Sequence, residues 1–230
     1  VTSGRRFTDI ISGALTLRDE NVKITGSDGI KTAVEDSYIR EGHYQTLSSS
    51  VSRDTRNSYL EPSCGSFSTL NVDSTGGFLK GPDSFVKYGL TLRKYHALNG
   101  RDVIAGRISA NAVNLSEGSL PLFERYGLGG ADNLRGYDYR EFTGERMLLG
   151  NIELRHKFTK NFNVHVFYDA GDAWGANGSE AASGNDGGFS LKKGCGAGIV
   201  ISTPIAPIRL DYARGRSNEG KYYFGMGQCF

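Results

Sequence analysis

No stretch of this 230-residue chain approaches the roughly 18 consecutive apolar residues that a membrane-spanning helix needs, so such a helix is excluded. Apolar residues are scarce throughout, at 38%, and the mean hydropathy of -0.38 agrees. That is little for a domain built around a buried core. A secretory leader is missing too, which gives the expectation that an exported form starts at a mature or trimmed Val1. The net charge of +2 gives no reason to expect nucleic acid as a partner. Cys64, Cys195 and Cys229 form no Cys-x-x-Cys pair, and their odd number argues against a disulfide framework while leaving one bridge open. His43, His96, His156 and His165 show no metal-ligand spacing, so neither a metal nor a cofactor is expected. No Ser-His-Asp grouping is legible, and no enzymatic activity is expected.

What is abundant is glycine, with 32 residues, together with 12 tyrosines and 12 phenylalanines, a composition of strands and turns. Apolar and polar residues alternate in segments of about ten. In "SFVKYGLTLRKY", Val86, Tyr88, Leu90 and Leu92 share one face, with Lys87, Thr91 and Arg93 on the other. In "VIAGRISANAV", Ile104, Ile108 and Ala110 alternate with Arg107, Ser109 and Asn111. Ile152 and Leu154 alternate with Asn151, Glu153 and Arg155, and Val164, Val166 and Tyr168 with His165, Phe167 and Asp169. Ile208, Leu210 and Tyr212 alternate with Arg209 and Asp211. The pattern predicts about ten strands (range about 8–12), near 8–20, 40–54, 66–77, 83–96, 101–115, 146–158, 162–173, 190–203, 206–215 and 220–230.

A soluble sandwich also alternates, with its apolar face inward. Here the opposite faces carry Arg, Lys, Glu and Asp in strand after strand, while the apolar faces are modest and end in tyrosines. This is the pattern of a lipid-facing band with an aromatic girdle. Connections alternate in length as well: "YLEPSCG", "ALNG", "FTKN" and "TPIAP" are short, whereas 21–39, 116–145 and 174–189 are long. The expected fold is therefore all-β, a transmembrane antiparallel β-barrel with short turns on the periplasmic side. An even strand count would place both termini there. In the last segment, "KYYFGMGQCF", Tyr222, Phe224, Met226 and Phe230 fall on one face, and ending on Phe resembles the C-terminal sorting signal of bacterial outer-membrane proteins.

Six motifs, "SRDTRNSYLEPSCGSF", "LPLFERYGLGGADNLRGY", "GNIELRHKF", "FYDAGDAW", "TPIAPIRLDYA" and "YYFGMGQCF", stand in one order along the chain. In that order they resemble the barrel of the BamA-type, or eighty-five-kilodalton outer-membrane protein, superfamily, also called bacterial surface antigens. The resemblance runs from about Gly13 to Phe230 and corresponds to the C-terminal part of such a barrel. It implies periplasmic POTRA modules ahead of the barrel. The sequence begins at the barrel, so the expectation is a short, POTRA-less member, with residues 1–230 forming a single outer-membrane barrel domain. The expected site is the outer membrane of a diderm bacterium, ahead of a plastid or mitochondrial outer membrane.

The resemblance also implies a role for the long loop. In family members the Arg-Gly-Tyr segment, here Arg135, Gly136 and Tyr137, folds into the lumen and engages acidic residues of the inner wall, by position Glu153 and Asp169. Alternation independently puts both carboxylates on the polar face of successive strands, where one guanidinium bridges them as a latch. Glycines 194, 196 and 198 are expected to line a face against which the loop packs closely. Three functions remain open. The first is an assembly factor in which a client strand pairs at the seam between the first and last strands. That seam involves Leu15 and Leu17 on one side and Tyr222, Phe224, Gly225, Gly227 and Phe230 on the other. The second is a structural barrel that self-associates as a dimer or larger homo-oligomer. The third is a narrow passive channel. The partners implied are outer-membrane lipids, other copies of the chain, unfolded outer-membrane protein clients and periplasmic partners.

Overall fold

The computed structural model describes residues 1–23, 41–79, 81–117, 120–175, 187–216, 219–227 and 229–230. Its strands are β1 (Thr2–Arg6), β2 (Ile11–Val22), β3 (Gly42–Asp54), β4 (Gly65–Thr75), β5 (Ser84–Ala97), β6 (Asp102–Glu117), β7 (Tyr126–Leu128), β8 (Phe142–Gly144), β9 (Arg146–Lys157), β10 (Phe162–Trp174), β11 (Lys192–Ile201), β12 (Ile208–Arg214) and β13 (Gly220–Met226). Eleven of them make one antiparallel sheet in the order β1-β2-β3-β4-β5-β6-β9-β10-β11-β12-β13, and β7 pairs with β8 as a separate hairpin. The expected long connections 21–39 and 174–189 lie largely outside the described residues.

Ten strands were expected and the sheet has eleven. The additional one is β1, "TSGRR", which has no apolar alternation and is exposed throughout. Backbone pairing makes it a strand: Thr2 faces Thr16 and Arg6 faces Ser12 in β2. The intervening turn is closed by Thr8, whose Oγ1 accepts from the Ile11 amide at 3.0 Å. With an odd count, the inference that both termini share one side no longer follows. The segment near Gly13–Leu17 is also not the first strand, since β2 is paired on both sides, Leu15 facing Ser3 in β1 and Ser49 in β3.

The chain divides into two compact units. The first comprises Val1–Arg53, Thr69–Leu90 and Asn111–Arg125. Its interior is polar: Tyr44 Oη donates to Asp83 Oδ2 at 3.0 Å, and the Thr46 and Thr75 hydroxyls bond at 2.8 Å. The second comprises Asp54–Ser68, Thr91–Ala110 and Tyr126–Phe230, and it contains the loop of interest.

Within the second unit the usual distribution of side chains is inverted. Ile152, Leu154, Val166, Tyr168 and Leu210 are exposed, while Asn151, Glu153, His165, Asp169, Arg209 and Asp211 on the same strands are buried. Such an outer surface suits lipid, and the buried polar groups require internal partners. Ile152→Lys puts a charge in the middle of that apolar face. It is expected to lower stability in bilayers by about 2–4 kcal/mol, read by urea titration in liposomes; an unchanged midpoint would show that this face does not meet lipid.

Candidate functional site

Between β7 and β8, residues 129–134 are held by the Asn133 side chain. Asn133 Oδ1 accepts from the amides of Gly129, at 2.8 Å, and Leu134, at 2.6 Å, and the Gly130 amide donates to the Leu134 carbonyl at 3.2 Å. These bonds close a tight turn in which Gly129 and Gly130 have φ of 120° and 109°, values that a side chain disfavours. The turn drives Leu134 into a cluster with Leu128, Tyr137, Leu149 and Ala173. Arg135 follows directly. Gly136, at φ 98°, then bends the chain so closely past Arg214 and Gly215 that a Cβ has no room.

Arg135 has no exposed surface. Its Nε and Nη2 donate to Asp169 Oδ2 and Oδ1 at 2.7 and 2.9 Å, a two-pronged pairing, and its backbone amide donates to Asp169 Oδ2 at 3.2 Å. Nη1 lies 2.8 Å from Glu153 Oε1 and donates to Asp211 Oδ2 at 3.2 Å. The guanidinium carbon stands 3.3 Å from the centre of the Phe167 ring. Burial alone disfavours the guanidinium charge, but the bonds to Asp169 and the neighbouring carboxylates outweigh it and raise the Arg135 pKa.

The three carboxylates differ in what else holds them. Glu153 also accepts from Arg155 Nε and Nη2, at 2.9 and 2.7 Å. Asp211 has Arg209 Nε at 3.1 Å and His165 Nε2 at 3.0 Å. Asp169 has, apart from Arg135, the neutral amide of Asn151 at 2.7 Å. Arg135 therefore matters most to Asp169.

Glu153 and Asp169 are diagonal neighbours, since Glu153 faces Phe167 and Asp169 faces Asn151 across β9 and β10. Alternation places Asp211 on the polar face of its strand, but nothing in the sequence marks it as a partner of Arg135. Two strands separate it from β9, and the intervening β11 makes the reach possible. Asp169, Phe167 and His165 stand opposite Gly194, Gly196 and Gly198, and Gly198 stands opposite Asp211. A Cβ at Gly198 would overlap Asp211 and His165, and one at Gly194 would overlap the Arg135 carbonyl oxygen. Of the expected glycine row, Gly194 is where the loop passes, Gly196 leaves room for the Phe167 ring, and Gly198 for the Asp211 and His165 side chains.

The remaining sequence-derived residues are placed differently. Leu15 and Leu17 are exposed on β2, inside the sheet order. Tyr222, Phe224 and Met226 share the exposed face of β13, the terminal strand. Gly225 stands opposite Arg209 and leaves it room. Phe230 departs from expectation: β13 stops at Met226, Gly227 turns the chain at φ 86°, and the Phe230 ring is buried with Tyr95, Ala105 and Cys229. Arg107 and Arg155 stand 4.9 and 5.3 Å from its ring centre. The three cysteines are free, and burial pushes the Cys229 thiol pKa up.

The motif, its carboxylates and the inverted strands can be set against known proteins. The chain is 31% identical over 218 residues to the outer membrane protein assembly factor BamA of Nitratidesulfovibrio vulgaris, covering 84% of this chain and 27% of that protein. It is 24% identical to protein TOC75-4, chloroplastic, of Arabidopsis thaliana over all of this chain and 61% of that one. The fold matches the crystal structure of BamA from Haemophilus ducreyi lacking POTRA domains 1–3, with a TM-score of 0.72 at 19% identity, over 99% of this chain and 52% of the other. The chain thus spans about a quarter to three fifths of the length of these proteins. Its fold is that of an outer-membrane β-barrel, and its place is the outer membrane of a diderm bacterium, with a chloroplastic protein related at lower identity. The Omp85 superfamily domain matches residues 1–230 without a break, so the chain belongs to the Omp85 superfamily.

Proposed function

We propose that this chain acts without catalytic turnover as an assembly or translocation factor of the outer membrane, and that its terminal strand offers a pairing edge to an incoming client strand. One observation carries the reading: among the described residues the sheet order ends on β13, a strand of seven residues with a single hydrogen-bonded neighbour. An edge of unpaired amides and carbonyls is a template for strand addition. The relatives named as an assembly factor and a chloroplast TOC75 protein support it. In this reading residues 1–230 act as one barrel domain, and Arg135 with Glu153, Asp169 and Asp211 forms a latch that holds the 125–142 loop in the lumen. Gly136 and Tyr137 shape that latch, and Tyr222, Phe224, Gly225 and Gly227 belong to the pairing edge.

The test is folding of a denatured outer-membrane barrel client into liposomes with and without the protein. A several-fold faster appearance of heat-modifiable, protease-resistant client is expected. An unchanged rate, together with a defined dimer or larger oligomer in detergent, would replace this reading by self-association through the same edge.

A further inference from the structure

We propose that Tyr223 couples the Arg-Gly-Tyr segment to the terminal strand, so that loop and strand open together; its consequence for clients rests on the pairing edge proposed above. On β13 the outward positions are Tyr222, Phe224 and Met226, and the inward ones are Lys221, Tyr223 and Gly225. Tyr223 and Lys221 meet the loop directly, and Gly225 does so only through Arg209 of β12. Tyr223 Oη accepts from the Gly136 amide at 2.9 Å and donates to the Tyr137 carbonyl at 2.8 Å, so one hydroxyl holds the first and third peptide groups after Arg135. Lys221 Nζ lies 2.6 Å from Asp138 Oδ1. Gly225 makes room for Arg209, whose Nη2 donates to the Ala131 carbonyl at 3.0 Å and to Asp132 Oδ1 at 3.1 Å.

Beyond β13 the chain is fastened to the same cluster. Arg155 Nη2 donates to the Phe230 oxygen at 3.1 Å while also bonding to Glu153. Arg107 Nη1 donates to the Cys229 carbonyl at 3.5 Å, and its Nη2 to the Asp132 carbonyl at 2.8 Å. A strand of seven residues with one sheet neighbour among the described residues therefore depends on the loop for much of its inner contact. Two bonds on one hydroxyl make Tyr223 the most direct connection. Tyr223 is a positioning residue: it touches no client, and it acts through the loop.

The test is Tyr223→Phe in the full chain, in liposomes and without client, followed by hydrogen exchange of peptides covering 129–140 and 220–226. Losing about two net hydrogen bonds corresponds to roughly 5- to 30-fold faster exchange. Both peptides are expected to accelerate by a similar factor while β9 and β10 stay unchanged. Acceleration of one peptide alone, or of neither, overturns the coupling. Lys221→Ala removes a more exposed contact and should move the same two peptides together by a smaller factor. If Tyr223→Phe does not fold, Lys221→Ala decides the matter by the same criterion. Because exchange is measured without client, failure to accelerate client folding would sink the assembly reading and leave the coupling to be judged on exchange alone.

Discussion

Arg135→Ala is expected to lower the stability of the folded protein by about 3–5 kcal/mol, the range for deleting one partner of a buried ion pair. A partly wet lumen would argue for less, but Arg135, Asp169 and Asp211 have no exposed surface and Glu153 has 2%. Without the guanidinium the three carboxylates are unequal. Glu153 keeps its hydrogen bonds from Arg155, and Asp211 keeps the Arg209 guanidinium at 3.1 Å and the His165 ring at 3.0 Å as close neighbours without hydrogen-bond geometry. Asp169 keeps the Asn151 amide and the residue-135 amide, which is too little for a buried charge. Adding Asp169→Asn to Arg135→Ala should therefore recover most of the loss, whereas adding Glu153→Gln should recover little. Urea titration in liposomes, with unboiled gel mobility as the readout of folded protein, measures all three variants. A wild-type midpoint for Arg135→Ala, with residues 125–142 still protected from protease, would show that no latch exists.

The strands of the second unit could be read from sequence because their two faces differ in kind. The segment expected at 146–158 is β9, Arg146–Lys157, and that expected at 162–173 is β10, Phe162–Trp174. Contrast between Ile152 and Glu153, or Val166 and His165, survives into the structure as exposed against buried. β1 carries no such contrast, and pairing through the backbone leaves no trace in side-chain periodicity. Asp211 was on the correct face, but its approach to Arg135 depends on Gly198 standing between it and His165, a register that one strand cannot reveal. Tyr223 was hidden for the opposite reason. In "KYYF" both faces present aromatic rings, so alternation does not distinguish the loop-holding tyrosine from its exposed neighbours. Phe230 lies off the face that period two assigns it, because the positive φ of Gly227 ends the strand and turns the tail inward.

Gly194→Ala is expected to expel the loop and to lower stability by about as much as losing Arg135, again about 3–5 kcal/mol. The backbone at Gly194 is one any residue can adopt, so the effect is not strain of the glycine itself. It comes from space, because an added Cβ would overlap the Arg135 carbonyl oxygen. A main-chain oxygen has no rotamer by which to yield. Gly194 also stands opposite Asp169, so β11 cannot shift away without disturbing the register that sets the carboxylate. The loop must lift, and the guanidinium leaves with it. Gly106→Ala is the matched control: its nearest obstacle is the Asn151 carbonyl oxygen at 3.9 Å, an ordinary contact, and its effect should stay within about 0.5 kcal/mol. If both Gly194→Ala and Arg135→Ala act by undocking one loop, their effects cannot add. The double variant should unfold close to the midpoint of the weaker single variant, with residues 125–142 equally open to protease in all three. Additive losses would mean that the glycine supports the sheet independently of the arginine, and the space at Gly194 would then have no part in holding the loop.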